Sequence, residues 1–266
     1  MIAAFAGQSL GAVLADGELP FPPSVEDFYL PGLFGLDVWL TKITLLVWVA
    51  VAVIIIFFLV AYRNPKLVPT KMQWMAESIY GFARDNVARE MIGHEGLRFA
   101  PYLATLLCFI LVTNLFGIIP FIQMSPNSHI AFPAVLAIIS YVMFIYLGFR
   151  RHGIRYFKVA LVPNAPWFIL PLLIPIEIFS TFVVRPFTLA VRLFANMFAG
   201  HVILVVFTLG GFVLLNAGAI FAPVSLLSWA MAIALTFLEA LIAMLQAYVF
   251  VVLTASYIQG SLAEGH

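Results

Sequence analysis

Apolar residues in this chain come in long stretches, not at the spacing that lines one face of a soluble helix or strand. A bilayer core of about 30 Å takes roughly 20 helical residues to cross, and three stretches fit that length: 38–61, 99–122 and 130–149. Each is predicted to cross once. Two further stretches, 171–209 and 220–259, would as helices reach about 60 Å, twice the core thickness, so they must tilt steeply or bend. Pro175 and Pro186 offer bends in the first, and Asn216, Gly218 and Pro223 break the chain between the two. The pair reads as a long antiparallel hairpin. Between the first two spans, 70–92 follows Pro69 and mixes Met72, Trp74, Ile79 and Phe82 with Lys71, Glu77, Arg84 and Arg89, a pattern suited to a helix lying in the bilayer interface. The predicted fold is all-α and integral to a membrane. It has about five membrane helices, the last two forming a steeply tilted hairpin, plus one interfacial amphipathic helix. Residues 1–37 are an amino-terminal segment and 38–266 a single membrane domain, without the internal repeat of many secondary transporters.

Charge then sets an orientation. The segment before the first span has five acids and no Lys or Arg, whereas 62–98 holds six basic residues and 150–158 holds four. The amino terminus is therefore expected outside and the carboxyl terminus inside, with the loop at 122–130 and the hairpin tip at 216–222 outside. Composition agrees with a membrane class: 64% of residues are hydrophobic and 9% charged, against about a quarter charged in globular chains. The net charge of +1 is scattered between apolar runs, which argues against nucleic acid as a partner. Cys108 has no second cysteine for a disulfide or metal site. The first fifteen residues are mildly apolar but lack the basic start of a secretory signal and end among Asp16 and Glu18. No His–xxx–His pair or Ser–His–Asp set is present near span depth, so neither a cofactor, a metal nor a catalytic centre is indicated.

After residue 158 the ionisable groups of the hairpin are few: Glu177, Arg185, Arg192, His201 and Glu239. Charges inside a bilayer cost a few kcal/mol each on insertion scales, and default to a functional hypothesis with a named partner. Arg192 lies roughly 20 positions from either end of its stretch, too deep to snorkel easily. Its helical neighbours at three and four positions are Thr188, Leu189, Ala195 and Asn196, none acidic. Folding the hairpin about 219 sets Arg192 opposite Gln246 and His201 opposite Glu239. The missing negative charge is thus expected from another polypeptide. Ala195 with Ala199 and Asn196 with Gly200 form small-residue pairs that would let a partner helix approach, and Ala243 with Ala247 repeats the pattern. Glu239 and Gln246, seven apart, lie nearly on one line and link the level of His201 to that of Arg192. A His facing a Glu in a bilayer can relay protons. A transporter that uses the buried Arg to bind an anion is the main rival, and it would want the repeat this chain lacks.

The segments RPFTLAVRLFANMFAGH at 185–201, LEALIAMLQAYVF at 238–250 and NLFGIIP at 114–120 closely resemble subunit a of the F-type ATP synthase. The likeness runs in segment order from about 38 to 259. It implies a stator without a catalytic site of its own, set against a rotating c-subunit ring, with peripheral-stalk b subunits and other synthase subunits as partners. The resemblance also implies two offset proton half-channels, with a bacterial plasma membrane, or else an energy-transducing organelle membrane, as the expected host. Arg192 matches the arginine that faces the ring carboxylate. Asn196, His201, Glu239 and Gln246 match polar positions of the outer half-channel, and Glu177 one of the inner. Some bacterial members exchange the His and the Glu, as a mutually dependent pair would permit.

Overall fold

The computed structural model describes residues 42–119, 125–153, 169–216 and 218–262. Among them every regular element is helical. In order these are α1 (Lys42–Ala61), α2 (Lys71–Gly81) continued by a π-helical stretch (Phe82–Ile92), a 3₁₀ segment (His94–Phe99) leading into α3 (Ala100–Leu115), and a 3₁₀ turn (Pro126–Ser128). Then come α4 (Ala131–His152), α5 (Leu170–Phe179), a second π stretch (Ser180–Val184), α6 (Arg185–Asn216), a 3₁₀ turn (Ala219–Phe221) and α7 (Ala222–Leu262). Five helical segments among the described residues are long and apolar enough to cross a membrane: Ile43–Ala61, His94–Leu115, Ala131–Arg151, Leu170–Asn216 and Ala222–Leu262. The parts of the expected spans at 38–41 and 120–122 lie outside the described residues, as do 1–37 and 263–266.

Two differences from the sequence expectation have local causes. The second span is displaced toward the amino terminus of 99–122, because helical bonding gives way to tight turns after Leu115: Gly117 N donates to Asn114 O at 3.0 Å and Ile118 N to Leu115 O at 3.0 Å. The first long arm keeps Pro175 inside a helix but widens to a π stretch just before Pro186. Pro186 has no N–H to give to the preceding turn and its ring crowds that turn, so a local π register accommodates it without ending the arm. That arm extends to Asn216 and the other from Ala222 to Leu262, both longer than 171–209 and 220–259.

The chain divides into two compact units. One contains the described residues of Met1–Ala52, Leu111–Ser128 and Ala195–Leu245. In it α6 and α7 run antiparallel around Gly218, whose φ of +137° is a backbone state that glycine adopts readily. Three side chains of α7 tie to carbonyls of α6: Ser225 Oγ to Gly211 at 2.6 Å, Ser228 Oγ to Phe207 at 2.6 Å and Trp229 Nε1 to Thr208 at 3.4 Å. The Phe212 and Trp229 rings meet edge to face at 5.1 Å. Met197, Leu204, Val205, Leu209 and Ala243 are buried there.

The other unit contains the described residues of Val53–Ile110, His129–Phe194 and Gln246–His266. Its core includes Leu103, Ile110, Leu193, Phe250, Val251 and Ile258. In the 70–92 region Thr70 caps α2, and Gln73 clamps the entering chain through Lys66 N (3.2 Å) and Lys66 O (3.1 Å). Gln73, Ala76, Ala83, Val87 and Ala88 are buried, while Met72, Trp74 and Phe82 are exposed beside Lys71, Glu77, Arg84 and Arg89. Arg151 pairs with Glu95, which joins the end of α4 to the 3₁₀ segment before α3.

Candidate functional site

In the unit that holds Arg192, the first turns of α6 bury Leu189, Ala190 and Leu193, while Arg192 lies off that stripe and is exposed. Among the described residues no acidic side chain forms an ion pair with it. Gln246 of α7 belongs to the same unit and is buried, 4% exposed. Glu177 of α5 lies within reach of Arg185: Arg185 Nη2 donates to Glu177 Oε1 at 3.3 Å, and Thr181 Oγ1 donates to the same oxygen at 3.4 Å. The Arg185 guanidinium also lies over the Tyr257 ring, 5.5 Å from its centroid. Arg185, which the sequence left without a role, is thus the partner of Glu177.

The other unit carries Asn196, His201 and Glu239. Ala195, Asn196 and Ala199 are exposed on α6 while Met197 is buried, 2% exposed, so α6 presents one side made of small residues and an amide. Glu239 is buried, 5% exposed, and its Oε2 has no hydrogen-bond partner. Its carboxyl packs on Gly200: a Cβ there would stand 3.1 Å from Oε1 and 3.3 Å from Cδ. The structure therefore sets Glu239 against the residue next to His201, and the half-buried imidazole follows it along α6. A side chain at 200 would crowd the acid, which would have to give way by a few tenths of an ångström.

A second group of polar side chains in this unit was not singled out from the sequence. Asn114 Nδ2 donates to Ala243 O at 3.3 Å, one turn beyond Glu239 on α7. Asn127 Nδ2 donates to Asn114 Oδ1 and Thr113 Oγ1, both at 2.8 Å, and Ser125 Oγ donates to Thr113 O at 3.0 Å. All four side chains are buried. In the sequence, Asn, Ser and Pro near 125–128 carry the signature of a solvated turn, and only the pairing to α3 reveals the network.

Chemically, one unit offers an exposed permanent cation and an acid held by an arginine, and the other a buried acid beside a residue that adjoins a histidine. Residues 44–259 match the family model of the ATP synthase A chain. The chain is 43% identical over 268 residues to the ATP synthase subunit a of a Nocardioides species, covering 95% of this chain and 96% of the relative. It is 45% identical over 251 residues to that of Pseudarthrobacter chlorophenolicus, covering 92% and 94%. With that of a Parafrankia species it shares 48% identity over 212 residues, covering 78% and 71%.

Proposed function

We propose that this chain, which belongs to the ATP synthase A chain family and so is a membrane-embedded subunit of a bacterial ATP synthase, is the stator that exchanges protons with a rotating ring of small acid-bearing c subunits. Residues 38–266 would act as one membrane domain, with the amino terminus outside, the carboxyl terminus inside, and peripheral-stalk b subunits among its neighbours. The observation that carries the reading is Arg192: a permanent charge on an exposed helix side, next to Ala195, Asn196 and Ala199, with no acid of the described residues paired to it. A cation in lipid without a counter-charge is costly, so a partner carboxylate is the expected complement.

The chemistry follows from two environments. Burial in lipid disfavours a carboxylate, so a ring acid travels through the bilayer protonated and neutral. Beside Arg192 the preference reverses, because guanidinium keeps its proton and favours the ionised acid. During synthesis the ring acid releases its proton on approach, toward an inner half-channel that includes Glu177. Its hold on Arg185 keeps the Glu177 carboxyl at one place, which suits a proton acceptor of fixed position. The ring acid is reprotonated from an outer half-channel through Glu239, His201, Asn196 and Gln246. The fixed charge on Arg192 also opposes direct proton passage between the half-channels. Moving one charge across 100 mV is worth about 2.3 kcal/mol, and a leak would waste it.

Cross-linking tests the reading. With Ala195→Cys or Ala199→Cys in the assembled complex and a cysteine beside the ring carboxyl, oxidation is expected to join this chain to a very small two-helix protein present in many copies. Leu193→Cys, on the buried side, is expected to give no such product. If the exposed-side cysteines form no adduct while that small protein copurifies, Arg192 does not face the ring.

A further inference from the structure

The hydrogen bonds around Asn114 leave little freedom in how the buried amides point. Asn114 must turn its Nδ2 toward Ala243 O, at 3.3 Å, so its Oδ1 faces Asn127. Asn127 answers with Nδ2, at 2.8 Å, and its other amide hydrogen goes to Thr113 Oγ1, also at 2.8 Å. Flipping the Asn127 amide would set two acceptors against each other, so the orientation is determined. Its backbone is held as well, since Asn127 N donates to Ser125 Oγ at 3.2 Å. The consequence is that Asn127 Oδ1, in a residue 1% exposed, is an acceptor without a donor.

The same unit has one further buried oxygen in that condition among the described residues, Glu239 Oε2. Ser125 and Asn114, the hydrogen-bond partners of Asn127, meet Glu239 at Gly117. A Cβ at Gly117 would stand 3.3 Å from Asn114 O, 3.4 Å from Ser125 Cβ and 3.8 Å from Glu239 Oε1, so Asn114, Ser125 and Glu239 all come up to the one glycine. Buried acceptors lacking donors are costly, and the usual remedy in a polar gap is a water molecule, which brings two donors.

We infer that the buried turn at 125–127, through Asn127 Oδ1 and past Gly117, forms a water-bearing arm of the proton route to Glu239. This rests on the proton-channel reading above and adds an entrance that does not pass along the hairpin. Asn127 does not ionise. Its Oδ1 accepts a hydrogen bond from water or hydronium, the excess proton shifts along the water by exchange of covalent and hydrogen-bonded O–H, and it ends as the O–H of Glu239 while the water is left neutral. The ligand class is water and its protonated form, and the lattice of bonds through Thr113, Asn114 and Ser125 keeps the acceptor in place.

The test uses the whole synthase in native membranes, with Cys108, which is buried, replaced by Ala. Asn127→Leu is expected to lower passive proton conduction through the membrane sector at least tenfold, and Asn127→Ser to keep most of it. Asn127→Cys is expected to react with the small charged thiol reagent methanethiosulfonate ethylammonium added outside, and conduction should stop as it reacts. An assembled Asn127→Leu complex that conducts like the parent, or an Asn127→Cys variant whose thiol stays unreactive, overturns the inference. If the Leu variant does not assemble, the thiol reaction decides alone, since a merely structural asparagine would not be open to a charged reagent. Arg192→Ala in the same membranes separates the two levels: coupled synthesis surviving there sinks the channel reading itself, whereas its loss beside a normal Asn127→Leu sinks only the second arm.

Discussion

Gly200→Ala should separate proton handling from stability. The added Cβ would lie 3.1 Å from Glu239 Oε1, 3.3 Å from Cδ and 3.4 Å from Cγ, so all three close contacts are with one side chain. That side chain must move a few tenths of an ångström while its Oε2 stays buried. Overpacking of this kind costs about 1–3 kcal/mol, and replacing Gly by Ala inside a helix returns about 0.8–1 kcal/mol, so the net destabilisation should be about 0–2 kcal/mol, at the low end where the side chain yields. Pushing the carboxyl off its preferred rotamer costs about 0.5–1.5 kcal/mol, which corresponds to a roughly two- to tenfold loss of rate if Glu239 must sit where it does to pass protons. ATP-driven proton pumping in inverted membrane vesicles, normalised to assembled complex, measures the rate, and thermal inactivation of the complex measures stability. Shortening the acid with Glu239→Asp withdraws the colliding atoms, so the double variant should pump better than the two single effects combined predict, with a coupling of about 0.5–1.5 kcal/mol. Normal pumping in Gly200→Ala, or strict additivity with Glu239→Asp, would refute the placement of Glu239 on Gly200.

Other consequences are simpler to read. Glu177 and Arg185 are each about a third exposed and 3.3 Å apart, so a double-mutant cycle with Glu177→Gln and Arg185→Gln, followed by thermal stability of the complex, should give a coupling of about 0.2–1 kcal/mol. A value indistinguishable from zero would mean that the pair does not form. Gly211→Ala would put a Cβ at the Trp229 indole, so the ring has to leave and its bond to Thr208 O is lost. A destabilisation of about 1–3 kcal/mol is expected in thermal unfolding, and Trp229→Phe in the Gly211→Ala background should recover part of it. Exchanging His201 and Glu239 together should preserve more proton flux than either single exchange, measured as passive conduction; no recovery would argue that the two act independently.

The membrane character and the helical segments were legible because span length and hydrophobicity are properties of sequence alone. The hairpin was legible too, since Asn216, Gly218 and Pro223 punctuate two long apolar arms. Local register was not. The π stretch at Ser180–Val184 depends on how the turn before Pro186 rearranges, and a proline by itself signals only that something must. Glu177 and Arg185 are eight residues apart, beyond the three or four that make helical neighbours, and they meet because the wide π turns shorten the path and the long Arg side chain reaches back toward the amino-terminal end. Asn127 was hidden for another reason. A turn residue between two spans is ordinarily solvated, and its burial depends on Thr113 and Asn114, which come from the end of the preceding helix. Arg192 stood out because a permanent charge amid apolar residues violates the local rule, and on α6 it is exposed.

The most direct measurement of the central claim is ATP synthesis driven by an imposed proton gradient in membranes carrying Arg192→Ala, read together with the passive proton leak. The complex is expected to assemble, to lose synthesis, and to leak more protons through the membrane sector once the fixed charge between the half-channels is gone. Coupled synthesis persisting in that variant at the rate of the parent would contradict the claim.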